Sequence, residues 1–141
     1  MKNFEKEYQV KWSDVDPNKH LRGSAYLDFT DHTRIDFMES NGLSVDMLVK
    51  LNIGFVLTKT TIAYKREVRM NEIIRVDYHI DYFSDDYKKY GATHQVFKEN
   101  GKLACLVKIE GFWIDLKNRR VTAPPDEVVK IIKEAEAMQE E

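Results

Sequence analysis

The 141-residue chain contains a single cysteine, Cys105. Neither an internal disulfide nor a cysteine-based zinc cluster can therefore hold it together, and a reducing compartment is the expectation. Proline and glycine are also scarce, with three and six residues. They do not gather into a linker or low-complexity tract, so residues 1–141 read as one domain large enough to bury a core. There is no glycine-rich phosphate loop and no Gly-x-Ser-x-Gly elbow. No apolar run is long enough to span a bilayer, and Met1 to Glu7 lacks the apolar stretch of a secretory signal, which sets a cytoplasmic expectation without a membrane partner. Charge of one sign is not in excess either: 22 Lys and Arg against 24 Asp and Glu leave a formal charge of −2. That balance gives no global attraction to nucleic acid. What remains, 43% hydrophobic and 33% charged residues, is the composition of a globular domain.

Periodicity supplies the elements. Tyr8, Val10 and Trp12 alternate with Gln9 and Lys11, predicting a first strand with one buried face. From Ser24 to Glu39 the spacing becomes helical, with Tyr26, Phe29, Thr33 and Phe37 on one side, Ser24 as N-cap and Asn41-Gly42 as the stop. A short helical turn is expected over Val45 to Leu51. The period then changes to two: Ile53 to Lys65, Ile74 to Tyr82, Lys89 to Lys98 and Leu103 to Leu116 read as strands, the last two joined by an Asn100-Gly101 hairpin. Pro124-Pro125 introduces a terminal helix with an apolar stripe of Val128, Ile131, Ile132, Ala135 and Met138, and an acidic tail, Glu140-Glu141, expected to fray. One strand, one long helix, a meander of strands and a last helix define an α+β chain. Its simplest packing wraps a long antiparallel sheet around the central helix. Such a sheet leaves edges to manage, which favours side-by-side association of copies.

The segment from Trp12 to Tyr26 carries the candidate chemistry. It sets Asp14, Asp16 and His20 on a turn that feeds a helix, whose N-terminus offers free N–H groups and partial positive charge to a developing oxyanion. A carboxylate poised there can act as general base or nucleophile toward a held carbonyl. Asp16 before Pro17 also suits a plain turn residue, and Asp14 suits a cap. The Asp14, Asp16, Asn18 series superficially matches a calcium loop, but Pro17 lies inside it, Lys19 stands where glycine is required and Ala25 where glutamate is required. No metal is expected. His32 and His79 read as surface residues, His94 as a buried, hydrogen-bonded histidine between Ala92 and Val96, and Cys105 as a small core residue.

The Asp14-Val15-Asp16-Pro17 turn, His20, Tyr26, then Phe29, Asp31 and Arg34 on the helix, Ala63-Tyr64-Lys65-Arg66-Glu67 and Arg120-Val121-Thr122-Ala123-Pro124 resemble the hotdog-fold acyl-CoA thioesterases of the 4-hydroxybenzoyl-CoA thioesterase type. The resemblance implies a hotdog fold and hydrolysis of an acyl-CoA to a free acid and coenzyme A without a cofactor. It implies Asp16 as the catalytic carboxylate and the backbone N–H of Gly23, or of its neighbour Ser24, as the oxyanion donor. His20 joins the catalytic candidates. Ser24, Tyr26, Phe29, Asp31 and the strand around Thr58 and Lys59 are the substrate-binding candidates. It further implies a homodimer or homotetramer with each site at a subunit interface. The basic pairs Lys65-Arg66, Lys88-Lys89 and Arg119-Arg120 are candidates for the coenzyme phosphates. Lys19, Arg22 and Gly23 stand where many relatives have a glycine and two asparagines. Two alternatives accordingly stay open: an acyl-carrier-protein thioesterase, and a non-catalytic acyl-CoA-binding protein.

Overall fold

The computed structural model describes residues 4–140. In chain order it contains β1 (Phe4–Gln9), a 3-10 turn (Trp12–Asp14), α1 (Gly23–Ser40), α2 (Val45–Lys50), β2 (Ile53–Tyr64), β3 (Ile73–Phe83), β4 (Lys89–Phe97), β5 (Leu103–Asp115) and α3 (Asp126–Glu140). The strands form one antiparallel sheet in the order β1-β3-β4-β5-β2, so only β3, β4 and β5 run as the expected meander, and β2 pairs with β5 at the edge instead of with β3. This is the hotdog architecture, with α1 as the central helix and α3 as the C-terminal one. The expected fraying at Glu140 and Glu141 involves Glu141 and a Glu140 side chain that lie outside the described residues. Among the described residues no helix is long and apolar enough to cross a membrane.

Alternation explains the sheet. Ile74, Val76, Tyr78 and Ile80 of β3, Tyr90, Ala92 and Val96 of β4, and Cys105, Val107, Ile109 and Trp113 of β5 are buried and make the core with α1. At about 25 cal/mol per Å² of apolar surface removed from water, these side chains dominate the driving force. The helix contributes Tyr26 and Phe37, with Thr30 and Thr33 also buried because their hydroxyls bond back to the carbonyls of Leu27 and Phe29. The Tyr8 and Thr33 hydroxyls meet at 2.9 Å, and Lys6 pairs with Asp36, so β1 is tied to α1 along its length. α3 lays Ile131, Ile132 and Ala135 against Phe37, Met38 and Leu43 over Trp113, closing a cavity of about 20 Å³. Met138 of the expected stripe is exposed.

Three further expectations are corrected. The first strand stops at Gln9; Val10 is buried but Trp12 sits in the 3-10 turn, 79% exposed, because Asp14 Oδ2 accepts the Lys11 N–H and curls the chain away from the sheet. Arg22, not Ser24, is the N-cap of α1, and Ser24 is the second helical residue, bonded by the Arg22 guanidinium. Strict alternation also fails, with a residue skipped in the pairing at Ala104 of β5 and with bulges at Thr58 of β2 and Asp81 of β3. Each bulge faces a glycine on the neighbouring strand, Gly111 and Gly91, where a Cβ would lie 2.2 Å from the Val56 carbonyl oxygen and from the Tyr82 ring respectively. Glycine in a strand interior commonly marks such close approach.

His94, read as a buried histidine, is fully enclosed. Its Nδ1 donates to the Asp77 carbonyl at 2.7 Å, and its Nε2 receives Arg34 Nη1 at 3.4 Å. Burial pushes its pKa down to about 4; the Asp77 bond opposes this and the Arg34 charge adds to it.

Candidate active site

Local pairing builds the site. Asp16-Pro17-Asn18-Lys19 is a turn closed by Lys19 N–H on the Asp16 carbonyl at 2.9 Å, with proline supplying the preset φ and Lys19 in the left-handed region at φ 64°. Val15 and Leu21 bridge antiparallel, which brings the chain back on itself directly before α1. Asp16 Oδ1 accepts the N–H groups of Asn18 at 2.9 Å and His20 at 3.2 Å. These bonds orient the carboxylate, and Oδ2 keeps no protein partner among the described residues.

A second strip of backbone locks against this turn. His20 bridges Arg69, and the Leu21 N–H donates to the Val68 carbonyl at 2.7 Å. Val68 is fully buried, so it anchors the strip. The result is an open cleft of about 580 Å³ lined by Asp16, His20, Leu21, Gly23, Tyr26, Tyr64, Lys65, Arg66 and Glu67. Its floor is the start of α1, where no side chain caps the helix among the described residues. The Ala25 N–H bonds the Arg22 carbonyl at 3.0 Å, leaving the N–H groups of Gly23 and Ser24 as the orphan donors of the first turn. Tyr64 stands over this point: a Cβ on Gly23 would meet its hydroxyl at 3.1 Å. Its ring meets that of Tyr26 edge-on at 5.5 Å. Burial, reinforced by Cys105, Tyr64 and Glu72, raises the Tyr26 phenol well above its ordinary range, so it lines the cleft as a neutral group.

Of the residues singled out in the sequence, Asp16, His20, Gly23 and Tyr26 are brought together. Ser24 lies beside them in the first helical turn. Phe29 faces β1 instead, 4.9 Å from the Tyr8 ring. Asp31 turns outward to Arg34 at 2.8 Å, balancing a guanidinium that is otherwise buried. Thr58 and Lys59 sit on the exposed bulge of β2, with the Thr58 hydroxyl on the Glu110 carbonyl. Within one chain none of Phe29, Asp31, Thr58 and Lys59 lines the cleft. Of the three basic pairs only Lys65-Arg66 does. Arg66 Nη1 is already committed to the Leu103 carbonyl at 2.7 Å, whereas Lys65 has no acidic partner among the described residues. Glu67 carries no role in the sequence reading, yet its Oε2 lies 3.0 Å from His20 Nε2. The only signal for it was its place in the Ala63–Glu67 match. Among the described residues no group of acidic, histidine and cysteine side chains is arranged to hold a metal.

With this geometry in hand, comparison with known proteins identifies the class. A profile of the thioesterase-like superfamily matches residues 10–132, and the chain belongs to that superfamily. No curated protein matches it. Among solved structures, it is similar to the hypothetical protein SAV2348 from Staphylococcus aureus in complex with CoA (TM-score 0.88, 23% identity, 96% of this chain and 85% of that one). It is similar too to a DHNA-CoA thioesterase from the same organism (TM-score 0.85, 16% identity, 96% and 92%). A third is Slr0204, a 1,4-dihydroxy-2-naphthoyl-CoA thioesterase from Synechocystis (TM-score 0.84, 15% identity, 99% of each). At these identities the likeness carries the fold.

Proposed function

We propose that the protein is an acyl-CoA thioesterase hydrolysing its substrate to a free acid and coenzyme A, with a site of the 4-hydroxybenzoyl-CoA thioesterase type. The observation that carries this reading is the cleft in which an oriented carboxylate, Asp16, faces the uncapped start of α1. The thioester carbonyl sits over Gly23 and accepts its N–H, with Ser24 adjacent, so negative charge developing on oxygen meets fixed dipoles that need no reorganisation. Asp16, ionised, either takes a proton from the attacking water or attacks the carbonyl carbon itself to give a mixed anhydride. Tyr26 supplies an apolar wall for the acyl group, and Lys65, which has no acidic partner among the described residues, is the cation offered to a coenzyme phosphate. Superfamily membership and a neighbour with bound CoA support the choice of substrate class.

The protein acts as a homo-oligomer in this reading. Thr58 and Lys59 project from the free edge of the sheet and reach a cleft only on a partner copy. Phe29 and Asp31, both on α1, stay outside the binding set unless that partner rearranges the cleft.

Thiol release from short, medium, long and aromatic acyl-CoAs tests the function directly. Wild type turns over at least one class, and a folded Asp16→Asn variant loses about 10²- to 10⁴-fold in kcat, the usual worth of a positioned acid–base group. Turnover indifferent to Asp16 overturns the mechanism. Hydrolysis restricted to acyl-carrier-protein thioesters moves the substrate, and tight acyl-CoA binding without turnover makes this a binding protein.

A further inference from the structure

We infer that Glu67 is a positioning residue, holding His20 as the group that protonates the departing thiolate. The inference rests on the thioesterase reading and adds a residue to it. Three observations combine. His20 lines the same cleft as Asp16 and Gly23, so its ring borders the space a thioester would occupy. Glu67 Oε2 lies 3.0 Å from His20 Nε2, and Glu67 Oε1 is itself held by Arg69 Nη2 at 3.3 Å. The backbone under both residues is locked, by the His20–Arg69 bridge and by the Leu21 N–H on the carbonyl of fully buried Val68. A carboxylate that accepts from one ring nitrogen fixes the tautomer and leaves the other nitrogen as the site of proton exchange. Here Nε2 keeps its proton on Glu67 and Nδ1 does the exchanging.

Water adds to the thioester carbonyl while Asp16 takes its proton, giving a tetrahedral adduct. Collapse of the adduct breaks the C–S bond with its electron pair moving to sulfur, and His20, entering as the imidazolium, gives its Nδ1 proton to that sulfur. Acid and thiol leave. His20 is then neutral with Nε2–H still on Glu67, and Asp16 releases its proton to solvent, from which His20 is recharged. If Asp16 attacks directly, the same C–S bond breaks and the same proton moves.

The readout follows from leaving-group chemistry. An alkyl thiolate such as that of coenzyme A leaves slowly without a proton, whereas an aryl thiolate, being less basic, leaves unaided. Wild type, Glu67→Ala and Glu67→Gln are compared on an acyl-CoA and on the S-aryl thioester of the same acid. Glu67→Ala is expected to lower kcat on the acyl-CoA by roughly 10- to 100-fold, with KM little changed and S-aryl turnover kept within about twofold. Glu67→Gln, whose amide oxygen still accepts from Nε2, recovers most of the loss. Equal losses on both substrates, or none on the acyl-CoA, overturn the role of Glu67 while leaving the thioesterase reading intact. Wild-type protein that hydrolyses neither substrate overturns both.

Discussion

Single side chains decide what this fold can do chemically, and the legible ones share a short stretch of sequence. Asp16, His20, Gly23 and Tyr26 lie within eleven residues, so turn and helix signals alone predict that they converge. Tyr64, Lys65 and Glu67 come from the end of β2 and the loop after it, and the Lys19–Met70, His20–Arg69 and Leu21–Val68 pairings bring them in. Such long-range pairing leaves no periodic mark, which is why periodicity assigns Glu67 no place in the site. His94 is different: its burial follows from alternation, and its consequence is a pH dependence. Its folded pKa is about 4 against an ordinary 6.5. The unfolded chain therefore binds more protons between those values, and stability rises with pH across the window. The contribution is complete above about pH 6.5 and is lost as pH falls to 4, amounting to about 3 kcal/mol at 1.36 kcal/mol per unit. Urea midpoints taken from pH 7 down to pH 4 should fall for wild type. They should fall distinctly less for His94→Gln, whose side chain does not titrate. Parallel slopes would remove the role of His94.

At the scale of elements, β2 to β5, both longer helices and the α2 turn are where periodicity puts them, because burial on one face writes a period of two or 3.6 into the chain, whereas β1 shares only Tyr8 and Gln9 with the strand expected there. What periodicity misses are the interruptions. Thr58 and Asp81 break the alternation without any turn residue of their own, and the cause lies on the partner strands. Gly91 and Gly111 face each other's neighbours across β4 and β5, where Gly91 opposes Glu110 and Tyr90 opposes Gly111. The lack of a Cβ at this line admits Tyr82 from one side and the β2 backbone from the other. The two sites should respond differently to alanine. At Gly111 the added Cβ would lie 2.2 Å from a main-chain oxygen, which can retreat only by breaking β2–β5 pairing. At Gly91 the clash is with a partly exposed tyrosine ring, which has somewhere to turn. Gly111→Ala is expected to cost about 3 kcal/mol or more and Gly91→Ala about 1 kcal/mol, the range of overpacked sites. Equal denaturant midpoints for the two variants would count against this account of the bulges.

The whole molecule leaves one edge of its sheet guarded and the other open. β1 is six residues long, carries Glu5, Lys6 and Glu7, and links to β3 through Glu5–Arg75. Short, charged edges of this kind resist pairing with another chain. β2 is twelve residues long, and its stretch from Thr58 to Thr61 is exposed, with Lys59 as its only charge. Tyr64, at the end of that strand and on the rim of the cleft, is also exposed. An unpaired edge of this length, next to an open site with an aromatic rim, is what a second copy would cover. Two copies joined along β2 make one continuous sheet, and the isologous symmetry of such a contact gives both protomers the same site. Light scattering on purified protein should accordingly return a mass twice the 16.6 kDa of one chain or a higher even multiple. If Thr58 and Lys59 bind substrate, they do so from a partner copy, and specific activity should then fall on dilution in step with dissociation. A monomer at full activity would place every working residue within the single chain and strike those two from the site.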